Sequence, residues 1–191
     1  MSSGDLNSST EAFYQLYWLE MITKKLIAEI ISQYSLPLNG IHGISHWARV
    51  LENGKRLAKI NHANMPVVQL FAIFHDSKRV NESIDTDHGL KGAEFAASLR
   101  GYLFNLNDEC FELLRIACTY HTDGLTDGDV TVQTCWDSDR LDLGRIGITP
   151  DPRYLCTDAA KNPHIIKWAD GRSNQRVTPK FMDTKWGYAP D

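Results

Sequence analysis

Six side chains of the kinds that ligate metal ions stand on apolar stretches of this sequence: His46, His75, Asp76, His88, His121 and Asp139. Residues three, four, seven and eleven apart share one side of a helix. By that rule His46 lines up with Val50 and Leu57, His75 with Phe71, and His88 with Phe95 and Leu99. His121 lines up with Cys118, Leu114 and Phe111, and Asp139 with Trp136 and Val132. Five helices each aim an ionisable group at the interior, which is costly unless the group is paired, hydrogen-bonded or metal-bound. One divalent cation shared among them removes the penalty for all, and imidazole and carboxylate are ligands that Mn, Fe, Co, Ni and Zn accept. In the His75-Asp76 doublet the side chains diverge by about 100° on a helix. They can approach one ion from two directions, or the carboxylate can bridge two ions. A single buried histidine or a lone His-Asp pair carries little weight; the joint pattern is the signal.

The elements that must position these groups are helical throughout. Residues 1–10 are small and polar and read as a tail. A helix is expected from about Ser9 to Tyr34, with Phe13, Tyr17, Leu19, Ile22, Leu26 and Ile30 as its apolar positions. Residues 35–45 contain Pro37, Asn39-Gly40 and Gly43 and read as a loop. Helices are then expected over Ser45–Ile60, Pro66–Ser77, Asp87–Leu103, Asn107–His121 and Asp129–Leu143, with Pro66 suited to a first turn. From Asn162 onward the chain is rich in Pro, Gly, Asn and basic residues. It reads as irregular and packed on the body through Trp168, Phe181 and Trp186. No segment alternates as a strand does. The expected architecture is all-α: one helical domain over 11–160 with an irregular extension over 161–191.

Composition narrows the function classes. A chain of 191 residues suits one domain with a sizeable core. Its net charge of −4 argues against general nucleic-acid binding, and no apolar run is long enough to span a membrane. The opening Met-Ser-Ser-Gly-Asp lacks the pattern of a secretory leader. Cys110, Cys118, Cys135 and Cys156 form no Cys-x-x-Cys pair, and the first three fall in helical stretches as small hydrophobes. A cytoplasmic protein is expected.

The segments Ile44-Ser-His46-Trp-Ala-Arg-Val50, Phe74-His75-Asp76-Ser77, His88-Gly89-Leu-Lys-Gly-Ala93-Glu, Thr119-Tyr-His121-Thr and Trp136-Asp-Ser-Asp139-Arg-Leu141-Asp together resemble the HD-domain phosphohydrolase superfamily. The resemblance covers residues 40–147 and implies an HD-type helical bundle. It also implies a metal held by His46, His75, Asp76 and Asp139. Asp139 stands directly before Arg140-Leu141, as the family's last ligand does, and the apolar stripe selects it over Asp137. Asp137 is then expected to orient a ligand. His88 and His121 match the extra histidines of two-metal members. They would hold a second ion bridged by Asp76, or else touch substrate phosphate or protonate a leaving group.

The resemblance further implies hydrolysis of a small phosphomonoester or phosphodiester, nucleotide-like, by water activated on one or two divalent ions (Mn, Fe, Ni, Co, Zn or Mg). Asp76, His88 and His121 are the expected catalytic groups. Cationic side chains should clamp the phosphate: Lys78 and Arg79 after the doublet, then Arg140 and Arg145, with His42 at the mouth of the site. A solvated helix end explains Lys78 and Arg79 equally well, and an exposed loop position explains His42. Two other functions fit the same residues: a di-iron oxygenase on an HD-type scaffold, and a non-catalytic nucleotide- or metal-binding module.

Overall fold

Residues 21–188 are described by a computed structural model, and within them the chain is helical, with no strand. Thr23 is extended, and its Oγ1 accepts from the Leu26 amide, so α1 starts at Lys24 and runs to Ser32. The expected helix from Ser9 therefore has a capped start at Lys24; Phe13, Tyr17 and Leu19 lie outside the described residues. α1 buries Leu26, Ile27 and Ile30. α2 spans Ile44–Asn61 and ends where His62 turns left-handed, at φ 56°. α3 spans Met65–Phe74; Asn64 caps it, Pro66 sits in its first turn, and every residue from Pro66 to Phe74 is buried. It is the central element, packed against α2 and against the helices that follow.

α4 spans His88–Leu99, four residues short of the expected end, because the chain turns at Gly101 (φ 80°). α5 covers Asp108–Tyr120 behind its Asn107 cap, and α6 covers Val130–Arg140 behind its Asp129 cap. A 3-10 turn at Leu143–Ile146 follows. Apolar residues between Ile22 and Trp136, joined by the C-terminal Met182 and Trp186, supply one main core. Among the described helices none is long and apolar enough to cross a membrane.

The C-terminal part departs from the expected irregular extension. After the short α7 (Asp158–Lys161), α8 spans Pro163–Asn174. The Asn162 side chain accepts from the His164 amide and Pro163 opens the helix, a start signal that the polar composition obscured. Ile165 and Ala169 of α8 join Leu57, Leu141, Leu155 and Ala160 in a second, smaller core. A π-helical turn at Met182–Trp186 then folds Trp186 back into the main core, as expected for that residue.

Candidate metal centre

The six proposed ligands sit at helix ends that meet at one end of the bundle. His46 is in the first turn of α2, His75 caps the C-terminus of α3 and Asp76 lies in the turn after it. His88 opens α4, His121 caps the end of α5, and Asp139 is in the last turn of α6. Two glycines permit this convergence. A Cβ on Gly89 would lie 2.3 Å from the Cys118 carbonyl oxygen, and one on Gly92 would lie 2.4 Å from that of Phe74. Without side chains there, α4 presses directly against the ends of α5 and α3.

Two groups of donor atoms result, and Asp76 belongs to both. In the first, His46 Nε2 lies 3.1 Å from His75 Nε2, 3.4 Å from Asp76 Oδ2 and 3.3 Å from Asp139 Oδ1. His75 Nε2 is 3.4 Å from Asp76 Oδ2 and 3.8 Å from Asp139 Oδ1. In the second, Asp76 Oδ1 lies 3.1 Å from His88 Nε2 and 3.6 Å from His121 Nε2, and those two nitrogens are 3.0 Å apart. Ligands about 2.1 Å from a common cation stand about 3.0–3.4 Å apart in octahedral or tetrahedral arrangements, and all but the two longest spacings, 3.6 Å and 3.8 Å, fall in that range. All are buried except Asp139, whose side chain is 14 % exposed.

The hydrogen bonds on the far side of each ring say which atoms face inward. Nδ1 of His75 lies 3.1 Å from the Phe71 carbonyl oxygen and Nδ1 of His121 2.7 Å from that of Cys118; His88 Nδ1 meets the Asp85 carbonyl. A carbonyl only accepts, so each Nδ1 carries a hydrogen, and in the neutral form that ligation requires the lone pair faces inward at Nε2. Lone pairs therefore face lone pairs and carboxylate oxygens. Asp76 Oδ1 and Asp139 Oδ1 are buried with no hydrogen-bond donor. A cation is what such an arrangement lacks. His46, His75 and Asp76 could hold a metal ion, and so could Asp76, His88 and His121.

The electrostatics agree. Burial alone would push the Asp76 carboxyl up, but His75, His121 and His46 overcome it and hold it well below the ordinary carboxylate range. Asp139 behaves likewise: burial opposes ionisation, while His46, Arg145 and His75 win. Burial and Arg145 disfavour the charged form of His46, yet its contacts with Asp139, Asp142 and Asp76 raise it to about 9. Without a metal, a proton on His46 supplies the positive charge.

The buttress behind the first group was not foreseen. Asp142 accepts from His46 Nδ1 at 2.7 Å and is clasped by Arg49, through Nε at 2.7 Å and Nη2 at 3.0 Å. Its backbone carbonyl accepts from Arg145 Nη1 and from Ser173 Oγ of α8. The available signals were the spacing of Arg49, three residues after His46, and of Asp142, three after Asp139. Asp137, by contrast, orients no ligand. Its buried carboxylate accepts from the Cys156 and Thr157 amides and the Thr157 hydroxyl, and so anchors the segment before α7.

The expected phosphate clamps divide. Arg79 is buried at the second group, donating through Nη1 to His88 Nε2 at 3.1 Å and standing 3.5 Å from Asp76 Oδ1. Arg145 is buried beside the first, 3.7 Å from Asp139 Oδ1. Lys78 is turned outward, donating to Gln33 at 2.9 Å and lying over the Phe95 ring. Arg140 spends its donors on the Tyr154 and Leu125 carbonyls. These last two are corrections: both follow ligands in sequence, but their long side chains find partners on other faces. His42 is buried, contrary to an exposed loop position; its Nδ1 meets Glu82 Oε2 at 2.5 Å and its ring is 6.2 Å from that of His46. No family model, curated protein or solved structure matches this chain.

Proposed function

We propose that the protein is a metal-dependent phosphohydrolase acting on a small phosphoester, with its ion held by His46, His75, Asp76 and Asp139. The observation that carries this reading is the inward ring of lone pairs and unpartnered carboxylate oxygens, flanked on each side by a buried guanidinium. Bound there, a divalent ion supplies Lewis acidity and an acidified water at neutral pH. Arg79 and Arg145 bind the phosphoryl oxygens and neutralise the charge that grows on them. Asp76 uses Oδ2 for the first group, which leaves Oδ1 to organise the second. There His88 and His121 either share a second ion or, with Arg79 beside them, bind the phosphate and protonate the leaving oxygen. The nitrogen- and oxygen-only donor set suits Mn, Fe, Co, Ni or Zn.

Elemental analysis of the purified protein, followed by a phosphoester screen with each of these metals, tests the reading. Asp76→Ala should lose both metal and phosphate release. Full metal content and turnover in that variant would refute the assignment. So would iron-dependent oxygen consumption without any phosphate release.

A further inference from the structure

The side of α2 that faces away from His46 bears a second constellation with no part in the metal centre. Lys55 is nine residues from His46, half a rotation round the helix and about 13 Å along it. Two adjoining cavities, of about 160 Å³ and about 470 Å³, share Lys55 and Phe181 as walls. The inner one is lined by Ile22, Leu51, Phe181 and Trp186 together with Lys55, Lys185 and Gln69. The outer one adds Arg56, Lys59 and Trp168, with the Arg56 guanidinium over the Trp168 ring.

Two features of this groove call for a ligand. Cations crowd it: among the described residues Glu52 is the one carboxylate in its walls, and Arg172 already engages Glu52. Burial, Lys185 and Lys59 together hold the Lys55 ammonium below its ordinary range, against the opposing pull of Glu52. Phe181 and Trp186 meet edge to face, 5.2 Å between centroids, and give the inner cavity an aromatic wall. We propose that this groove binds a small aromatic anion. Its ring lies against Phe181 and Trp186, and its phosphate or carboxylate lies between Lys55 and Lys185.

The test uses the full-length protein as purified, beside Asp76→Ala, which separates this groove from the metal centre. Phenylphosphonate and methylphosphonate are titrated by calorimetry and by tryptophan fluorescence. In Asp76→Ala phenylphosphonate should bind one to one, and methylphosphonate at least tenfold more weakly; any additional binding in the wild type belongs to the metal centre. Lys55→Ala made in the Asp76→Ala background, which removes a half-buried ammonium and leaves the core intact, should weaken aryl binding at least tenfold. The proposal is overturned if phenylphosphonate does not saturate Asp76→Ala by about 10 mM. It is equally overturned if Lys55→Ala or Lys185→Ala in that background binds as Asp76→Ala alone does.

Discussion

The affinity of the centre for a divalent ion should rise tenfold per pH unit across neutrality, and His46 is the reason. In the metal-free protein three carboxylates outweigh burial and Arg145 and raise its pKa from 6.5 to about 9. At pH 7 its ring is therefore about 99 % protonated. A ligating imidazole must be neutral, so metal binding expels that proton. Between pH 7 and pH 9 the cost of deprotonation falls by about 1.4 kcal/mol per unit, so affinity should climb about 100-fold and then level off. The sign for the fold is opposite. A raised pKa means that protonated His46 stabilises the metal-free protein fully below pH 6.5. That contribution, about 3 kcal/mol at most, is lost as pH rises through 9. Competition against a chromophoric chelator measures the first trend. Calorimetry in buffers of different ionisation enthalpy should count one proton released per ion at pH 7. An affinity that stays flat from pH 7 to 9, with no proton released, would mean that His46 neither carries the charge of the empty cluster nor ligates the ion.

Other perturbations follow from the same contacts. Asp142→Asn keeps the shape but removes the charge that fixes His46 and Arg49; metal affinity should fall about 10- to 100-fold, read by the same chelator competition. Arg79→Ala withdraws a cation from Asp76 Oδ1 and His88 Nε2, so a second ion should bind at least tenfold more tightly in elemental or calorimetric titration. Arg145→Ala should lower kcat/KM for a phosphoester by about 100-fold, whereas Lys78→Ala, facing Gln33 and Phe95, should leave it unchanged. Ser173→Ala deprives the Asp142 carbonyl of one of three donors and should cost about 1 kcal/mol in thermal unfolding.

The convergence of the proposed ligands was legible in the sequence because helical periodicity fixes which side chain faces the core, and a short side chain such as His or Asp has little freedom to point elsewhere. His46, His75, Asp76, His88, His121 and Asp139 all meet as that rule requires. Long side chains escape it. Arg140 directly follows one proposed ligand and Lys78 comes two residues after another, but the Tyr154 and Leu125 carbonyls in the first case and Gln33 in the second decide where the charge goes. Those partners are distant in sequence, so spacing cannot reveal them. Asp142 escaped for a related reason: its role depends on Arg49, 93 residues earlier, and on α8 behind it. The α8 stripe of Ile165, Ala169 and Ser173 is too small and polar to stand out, although its Asn-Pro start was in plain view.

Because every proposed ligand lies at a helix terminus, a bound ion would close the bundle at the place where helices fray most easily. Positions 46 and 139 are 93 residues apart along the chain, and a shared ion would tie them within one cluster. Such a link restricts an unfolded chain more than any single contact in the core does. Chelating agents should therefore loosen this pole first and leave the opposite helix ends around Ala58, Val67 and Val132 folded. Amide exchange would then show two rates in one molecule: fast near the vacated ends, slow a few turns away.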